Sequence, residues 1–239
     1  KLDKFDLANA TEAELALQAV KSRDLSAASI EAKPANRNPS APFMTSTLQQ
    51  EASRKFGMGA RQTMSTAQRL YEAGHITYMR TDGIDMAPEA VNDTRGAIRD
   101  RYGDKYVPSS PRIYKNKAKN AQEAHECIRP TEMKQAPNGL NITDADQRKL
   151  YDLIWKRTIA SQMEAARMER TTVEITSADG QVGLRATGQV VLFDGFMRVY
   201  EEGRDDSVID DSDKHLPQIS AQEALIKNSV EQEQHFTQP

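Results

Sequence analysis

The sequence predicts an α+β protein in which a helical domain of winged-helix-like order, residues 39–164, is inserted into a β-rich domain built from residues 1–38 and 165–239. Three observations lead there. Apolar residues recur with a helical period from about residue 46, and the period becomes 2 after about residue 165. Pro34, Pro39 and Pro42 mark an extended boundary near residue 40, because proline fixes φ and has no N–H to donate. Neither flank holds enough strands for a stable sheet alone, so the two are expected to pair.

Taken in order, Thr11 and Glu14 form a capping-box pattern that starts a helix running to about Val20 or Leu25. The stretch "SAASIEAKPANRNPSAPF" is extended. Ser46 and Gln49 repeat the capping pattern and open a helix to Phe56, broken by "GMGA". The next helix aligns Ala60, Met64, Ala67 and Tyr71 on one face and ends at Gly74, a C′ glycine. "HITYM" then reads as a strand, which completes the order helix, turn, helix, wing. Pro88 lies in the first turn of a helix carrying Val91, Ile98 and Tyr102 and ending at Gly103. Arg112, Lys115, Lys117 and Lys119 lie in a polar basic loop that reads as solvated, and Thr143 and Asp146 start a last helix with Leu150, Leu153, Ile154 and Arg157. Beyond residue 165, Val173 and Ile175 alternate with polar neighbours, and Asp179-Gly180 and Asp194-Gly195 mark turns.

Composition narrows the function. The chain has 239 residues, 38% hydrophobic, and mean hydropathy is −0.71. No apolar run approaches the ~20 residues that span a bilayer, and "KLDKFDLANA" lacks the apolar core of a signal peptide, so no membrane partner is expected. The single cysteine, Cys127, forms no internal disulfide, fits a reducing, cytoplasmic compartment and reads as a small buried side chain. Net charge is −3, but it is unevenly spread: 0 over residues 1–40, +5 over 41–160 and −8 over 161–239. The middle of the chain is therefore the part suited to a phosphate backbone.

Several chemistries lack their residues. "GMG" has no following Lys-Ser/Thr, so it is not a phosphate-cradling P-loop. One cysteine and four separated histidines make no zinc pattern. No acidic pair has the context of a divalent-metal site, and no nucleophile elbow is present. What remains is "YMRT". A tyrosine hydroxyl, with a pKa of about 10, is a poor nucleophile unless a cation stabilises the phenolate. In an extended segment Tyr78 and Arg80 project to one face. There Arg80 could serve both the Tyr78 oxygen and a bound phosphate, since its planar fork stays charged and grips two oxygens. Spacing alone leaves two readings open: a phosphodiester-attacking tyrosine, or a wing tyrosine packed on a helix beside a solvated arginine.

The segments "APFMTSTLQQEASRKFGMGARQTMSTAQRLYEAGHITYMRTD" and "AQEAHECIRPT", followed by "FDGF" and "HFTQP", resemble in content and order the signatures of type IA DNA topoisomerases, across essentially the whole chain. Gly83 stands where that family usually has serine. The resemblance implies that Tyr78 is the nucleophile forming a 5′-phosphotyrosine link to one DNA strand, and that Arg80 contacts the scissile phosphate. It implies that His125 lies in the DNA-binding groove, with Arg129 in the same motif; His125 taken alone reads as a structural histidine. It also implies that the β-rich flanks form an arch, and that single-stranded or underwound DNA is the partner, in a cytoplasmic, nucleoid-associated setting. No oligomer is expected. The family's Toprim domain, with its acidic cluster for Mg²⁺, has no match here, so the chain reads as a central fragment. No cofactor is expected within it, Mg²⁺ would enter through the absent Toprim domain, and the remaining domains of the parent enzyme are its partners. A winged-helix DNA-binding module without chemistry explains the basic middle but not "EAHECIRPT". A tyrosine recombinase disagrees with the β-rich flanks.

Overall fold

The structure is a computed structural model that describes residues 9–114, 126–201, 219–227 and 230. It divides into two compact units: one from the described residues of Lys1–Ala35, Met168–Val190 and Ile209–Pro239, the other from those of Asn36–Arg167 and Val191–Val208. Among the described residues no helix is long and apolar enough to cross a membrane.

The first unit is built on a four-stranded sheet in the order β3-β2-β1-β4. Its strands are β1 (Leu25–Arg37), β2 (Ala166–Ser177), β3 (Gly183–Phe193) and the two-residue β4 (Ala224–Leu225). β1 and β4 pair antiparallel with Leu25 opposite Leu225. The flanks 1–38 and 165–239 thus share a sheet. β2 and β3 form a hairpin whose turn is built around Asp179. Its carboxylate accepts from the Ser177 hydroxyl (2.5 Å), the Arg23 Nε (2.7 Å) and the Gln181 amide (3.1 Å), which together hold it well below the usual carboxylate range. Helix α1 (Ala10–Lys21) is capped by Asn9, whose side chain accepts the Glu12 amide at 3.0 Å. The cap lies two residues before the expected Thr11, because Asn9 reaches the third amide of the helix while Thr11 is already inside it. At its other end the Lys227 ammonium donates to the carbonyls of Val20, Lys21 and Arg23, which the helix leaves unpaired.

The second unit holds α2 (Thr45–Phe56), α3 (Ala60–Glu72), α4 (Pro88–Tyr102) and α5 (Ala145–Ser161). α5 lies at the centre. It buries Leu150, Tyr151, Leu153, Ile154, Trp155 and a run from Arg157 to Ser161, nearly all round its circumference, and α2, α3 and α4 pack on it. Asp144, not Thr143, caps it by accepting the Gln147 amide at 2.8 Å. α3 buries Thr63, Thr66, Ala67 and Leu70, so its inner face is rotated from the expected Ala60–Met64–Tyr71 stripe. Threonine can fill a core position here because the Thr63 hydroxyl donates back to the Gly59 carbonyl at 3.1 Å. Gly74 does end α3: at φ +77° its amide meets the Tyr71 carbonyl (2.8 Å) and the His75 amide meets Leu70 (2.9 Å), a Schellman closure.

Two expectations need correction. No strand lies between α3 and α4. Residues 77–84 carry no ladder, and Ile76 makes one isolated bridge to Pro130, so the winged-helix order stops at its two helices. The backbone of this stretch is satisfied by scattered partners instead of a neighbouring strand. Second, described residues from Val191 to Glu201 belong with the helices and not with the β-rich flank. Phe196 and Tyr200 bury in the helical core, and Tyr200 meets Phe43 edge-on at 6.5 Å. "FDGF" makes this possible. Gly195 has φ +49°, and a Cβ there would lie 2.5 Å from the Ala165 carbonyl oxygen. Asp194 accepts the Tyr106 hydroxyl at 2.8 Å, and the Phe196 amide donates to Glu164 at 3.0 Å.

Gly195→Ala therefore combines left-handed strain with a backbone clash and should destabilise the helical unit by roughly 2–4 kcal/mol. Gly96→Ala, mid-α4 with open space around its Cβ position, should stabilise by about 0.5–1 kcal/mol. Urea unfolding followed by the fluorescence of Trp155 measures both; equal effects of the two would contradict the close approach at Gly195.

Candidate active site

The stretch Thr77 to Gly83 is held by threonines at both ends. On one side Thr77 reaches the segment that bears Arg129. Its amide donates to the Arg129 carbonyl (2.9 Å), its hydroxyl donates to the Cys127 carbonyl (2.7 Å), and the same oxygen accepts the Arg129 amide (3.0 Å). On the other side Thr45, first residue of α2, takes hold. Its amide donates to the Thr81 carbonyl (2.9 Å), its hydroxyl donates to the Met79 carbonyl (2.7 Å), and that oxygen accepts the Thr81 amide (2.9 Å). The Thr81 hydroxyl in turn accepts the Gly83 amide at 2.9 Å.

These bonds fix which side chains turn inward. Ile76, Met79 and Thr81 are buried, at 1%, 0% and 7% exposure, while Tyr78, Arg80 and Asp82 are exposed. The segment is not a strand, yet from Met79 to Gly83 burial alternates along it. Tyr78 is 49% exposed, and its ring stands edge-on to Tyr71 at the end of α3, centroids 5.4 Å apart at 72°. Such a pair is worth about 0.5–1.5 kcal/mol and sets the ring's direction without using its hydroxyl. Among the described residues neither the Tyr78 hydroxyl nor the Arg80 guanidinium has a hydrogen-bond or ion-pair partner. Two other tyrosines of this unit differ. The Tyr151 hydroxyl donates to the Gln135 carbonyl and that of Tyr114 to the Ser161 carbonyl, and burial pushes both up to about 12.

Arg80 lines two open clefts. One, of about 500 Å³, is shared with Met44, Thr45, Ser46, Gln49, Thr81 and Asp82; the other, of about 440 Å³, with Arg61, Met64, Ser65, Gln68 and Arg69. The helix residues in both were given no functional role from the sequence, where Ser46, Gln49 and Met64 stood only as capping and packing positions. The signal was there: Arg61, Ser65, Gln68 and Arg69 recur at i, i+4, i+7 and i+8, a polar stripe on α3.

Arg129 is placed differently from Arg80. Its Nε donates to Glu126 at 2.6 Å and its Nη1 to the Pro130 carbonyl at 2.8 Å, with the side chain 14% exposed. Glu126 also accepts the Ala87 amide at the start of α4, so this ion pair ties the signature segment to that helix. His125, Lys115, Lys117 and Lys119 lie outside the described residues. Arg112, expected in a solvated loop, donates to the Met163 carbonyl at 2.7 Å and faces Glu164. Cys127 is fully buried, and burial pushes its thiol up to about 12, which leaves it inert. Among the described residues no three His, Cys, Asp or Glu side chains gather in a group that could hold a metal ion.

A family model for DNA topoisomerase matches residues 1–239. The chain belongs to the DNA topoisomerase family, and its likeness within that family is to bacterial type IA members. DNA topoisomerase 1 of Zymomonas mobilis is 51% identical over 243 residues, covering 100% of this chain and 20% of that protein. DNA topoisomerase 1 of Rickettsia bellii is 47% identical over 248 residues, covering 100% of this chain and 31% of that protein. Full-length topoisomerase I from Thermotoga maritima superposes with a TM-score of 0.68 at 31% identity, over 89% of this chain and 36% of that one. The chain thus spans about a fifth to a third of the length of the relatives it matches.

Thr45→Val removes the hydroxyl that Met79 and Thr81 share. It should cost about 1–3 kcal/mol, because a partly buried carbonyl and amide lose their partner. Thr45→Ser should keep most of that. Hydrogen exchange of the Thr81 amide reads the effect directly: acceleration by Val but not by Ser is expected, and equal protection in all three chains would show that the hydroxyl does not hold the segment.

Proposed function

We propose that this chain is the nucleophile-bearing part of an ATP-independent type IA DNA topoisomerase that cuts one strand of underwound DNA, passes the other through the gap and reseals it. The observation that carries the reading is the outward, unbonded Tyr78 hydroxyl, with a solvent-facing Arg80 two residues on that has no partner among the described residues. A tyrosine kept for packing buries its ring and satisfies its hydroxyl, as Tyr151 does.

In this reading the Tyr78 oxygen attacks the scissile phosphorus and the bond to the 3′-oxygen breaks. The phenolic proton is lost and the 3′-oxygen gains one, so the cut leaves a 3′-hydroxyl and a 5′-phosphotyrosine. One phosphoester replaces another, so resealing needs no ATP. Arg80 binds the phosphate and offsets the charge that builds on its oxygens, which suits a fork of fixed donors. Thr45 and Thr77 position the segment. Arg129 acts through the Glu126 pair as a positioning residue, with its signature segment beside the DNA, and His125 is assigned to the DNA groove on the strength of that motif alone. Mg²⁺ belongs, on this reading, to a Toprim domain and not to these residues. DNA as substrate sets the protein in the cytoplasm, at the nucleoid. The reading as a winged-helix binder without chemistry loses support, since no strand lies between α3 and α4.

Two relaxation assays on negatively supercoiled plasmid with Mg²⁺ test this. The parent enzyme carrying Tyr78→Phe should relax nothing, and Arg80→Ala should lower kcat by about 10²–10³, the usual cost of one charge-stabilising donor. The 239-residue chain alone should be inactive, because this reading assigns the Mg²⁺ that assists phosphoryl transfer to a Toprim domain. Relaxation by the Tyr78→Phe enzyme overturns the role of Tyr78. Tyr78-dependent relaxation by the chain alone shows that it holds the whole chemistry.

A further inference from the structure

We propose that the outward face of α3 is a track for the DNA backbone, on which Arg61 and Arg69 hold phosphates of the strand whose scissile phosphate lies at Arg80. The proposal rests on the reading of Tyr78 and Arg80 above and adds a binding site to it.

The geometry is that of a one-signed groove. The cleft of about 440 Å³ is lined by Arg61, Met64, Ser65, Gln68, Arg69 and Arg80: three guanidinium groups, two neutral polar side chains and no carboxylate. Arg61 and Arg69 stand eight residues apart on one helix face, about 12 Å along the axis at 1.5 Å per residue, enough for more than one phosphate of a single strand. Thr63, Thr66, Ala67 and Leu70 bury the opposite face, so the helix cannot rotate these arginines elsewhere.

Nothing nearby neutralises the cluster well. Arg61 and Arg80 have no partner among the described residues. Arg69 donates to the Thr66 hydroxyl at 3.3 Å and lies 4.0 Å from Asp144, with both side chains at least 40% exposed, a pair of little strength. Glu72, three residues beyond Arg69, accepts from Gln68 at 2.7 Å instead. Elsewhere in this unit arginines have partners: Arg99 pairs with Asp104 at the surface, Arg112 with Met163 and Glu164, Arg129 with Glu126, and Arg157 with the Ala41 carbonyl. Gathering three open guanidiniums costs repulsion that a polyanion removes, with release of its counterions. Arg80 lines both this cleft and the one against the start of α2, so an anionic chain lying on α3 runs continuously into the Tyr78 segment.

The test is fluorescence anisotropy of the 239-residue chain with a dye-labelled oligo(dT) strand, titrated from about 50 to 300 mM salt. Arg61→Gln/Arg69→Gln should bind about tenfold more weakly at low salt. Its slope of log K against log salt should be shallower by about 1.4, since each single-strand phosphate contact contributes about 0.7. Lys156→Gln, on α5 and paired with Asp152, should match the parent chain in both. Far-UV circular dichroism checks that the double variant keeps its helices. The proposal is overturned by an unchanged slope in a folded double variant, by an equal loss in Lys156→Gln, by no binding of the parent chain at 50 mM salt, or by poly-glutamate competing as well as oligo(dT) per charge. Binding is read here without cleavage, so any of these failures leaves the chemistry assigned to Tyr78 to be decided by relaxation alone.

Discussion

A single hydroxyl organises this site. Thr45 Oγ1 donates to the Met79 carbonyl and accepts the Thr81 amide, so it sits where a neighbouring strand would otherwise be. With Met79 and Thr81 held inward, Tyr78 and Arg80 have nowhere to go but out. The bond also joins two distant stretches of sequence, the start of α2 and the segment after α3. Thr77 does the same at the other end, joining that segment to residues 127–129. The tyrosine and arginine therefore stand on a short irregular span pinned at both ends, and their freedom is that of the side chains and not of the backbone. Pre-organisation of this kind is what a nucleophile needs, because a small misplacement of the reacting atom costs rate steeply.

The electrostatics follow the same division between inside and outside. Arginines that hold the fold together are spent on carbonyls, carboxylates and rings; Arg157, 7% exposed, lies between Phe43 and Tyr200 with ring centroids 4.9 and 5.2 Å away. Arg129 belongs to this structural group, since Glu126 takes its guanidinium and passes the constraint on to the start of α4. Arg61 and Arg80 belong to the other group, facing clefts that carry no compensating cluster of acids. The sequence places Arg80 and Arg129 side by side as candidates; only their partners tell them apart.

Much of the helical unit was legible because its signals are local. The ends of α2 at Phe56, α3 at Gly74 and α4 at Gly103 follow from glycine stops and period. Caps were harder. Met44 caps α2 although it is no capping residue, with the Thr47 hydroxyl accepting its amide at 3.1 Å, and Ser46, the expected cap, lies within the helix. The strand expected at "HITYM" fails because its alternation comes from two threonine clamps whose partners lie 36 and 50 residues away. "FDGF" was recognised as a signature, but that Gly195 admits the backbone of Ala165, and so draws Phe196 and Tyr200 into the helical core, depends on a contact no local pattern carries. Tyr78 and Arg80 were singled out through their motif, and the structure leaves both exposed; the α3 arginines lie on a helix face that reads, in sequence, like any solvated surface.

The central claim is that the Tyr78 oxygen, held outward by this frame, forms a bond to DNA phosphorus. The most direct measurement is to trap the covalent complex of the parent enzyme on a single strand labelled at its 3′ end, digest it and locate the adduct by mass spectrometry. The account predicts that the label stays with the protein and that the nucleotide is attached through its 5′-phosphate to Tyr78. An adduct on any other residue, or a label released from the protein because attachment is to a 3′-phosphate, would contradict it.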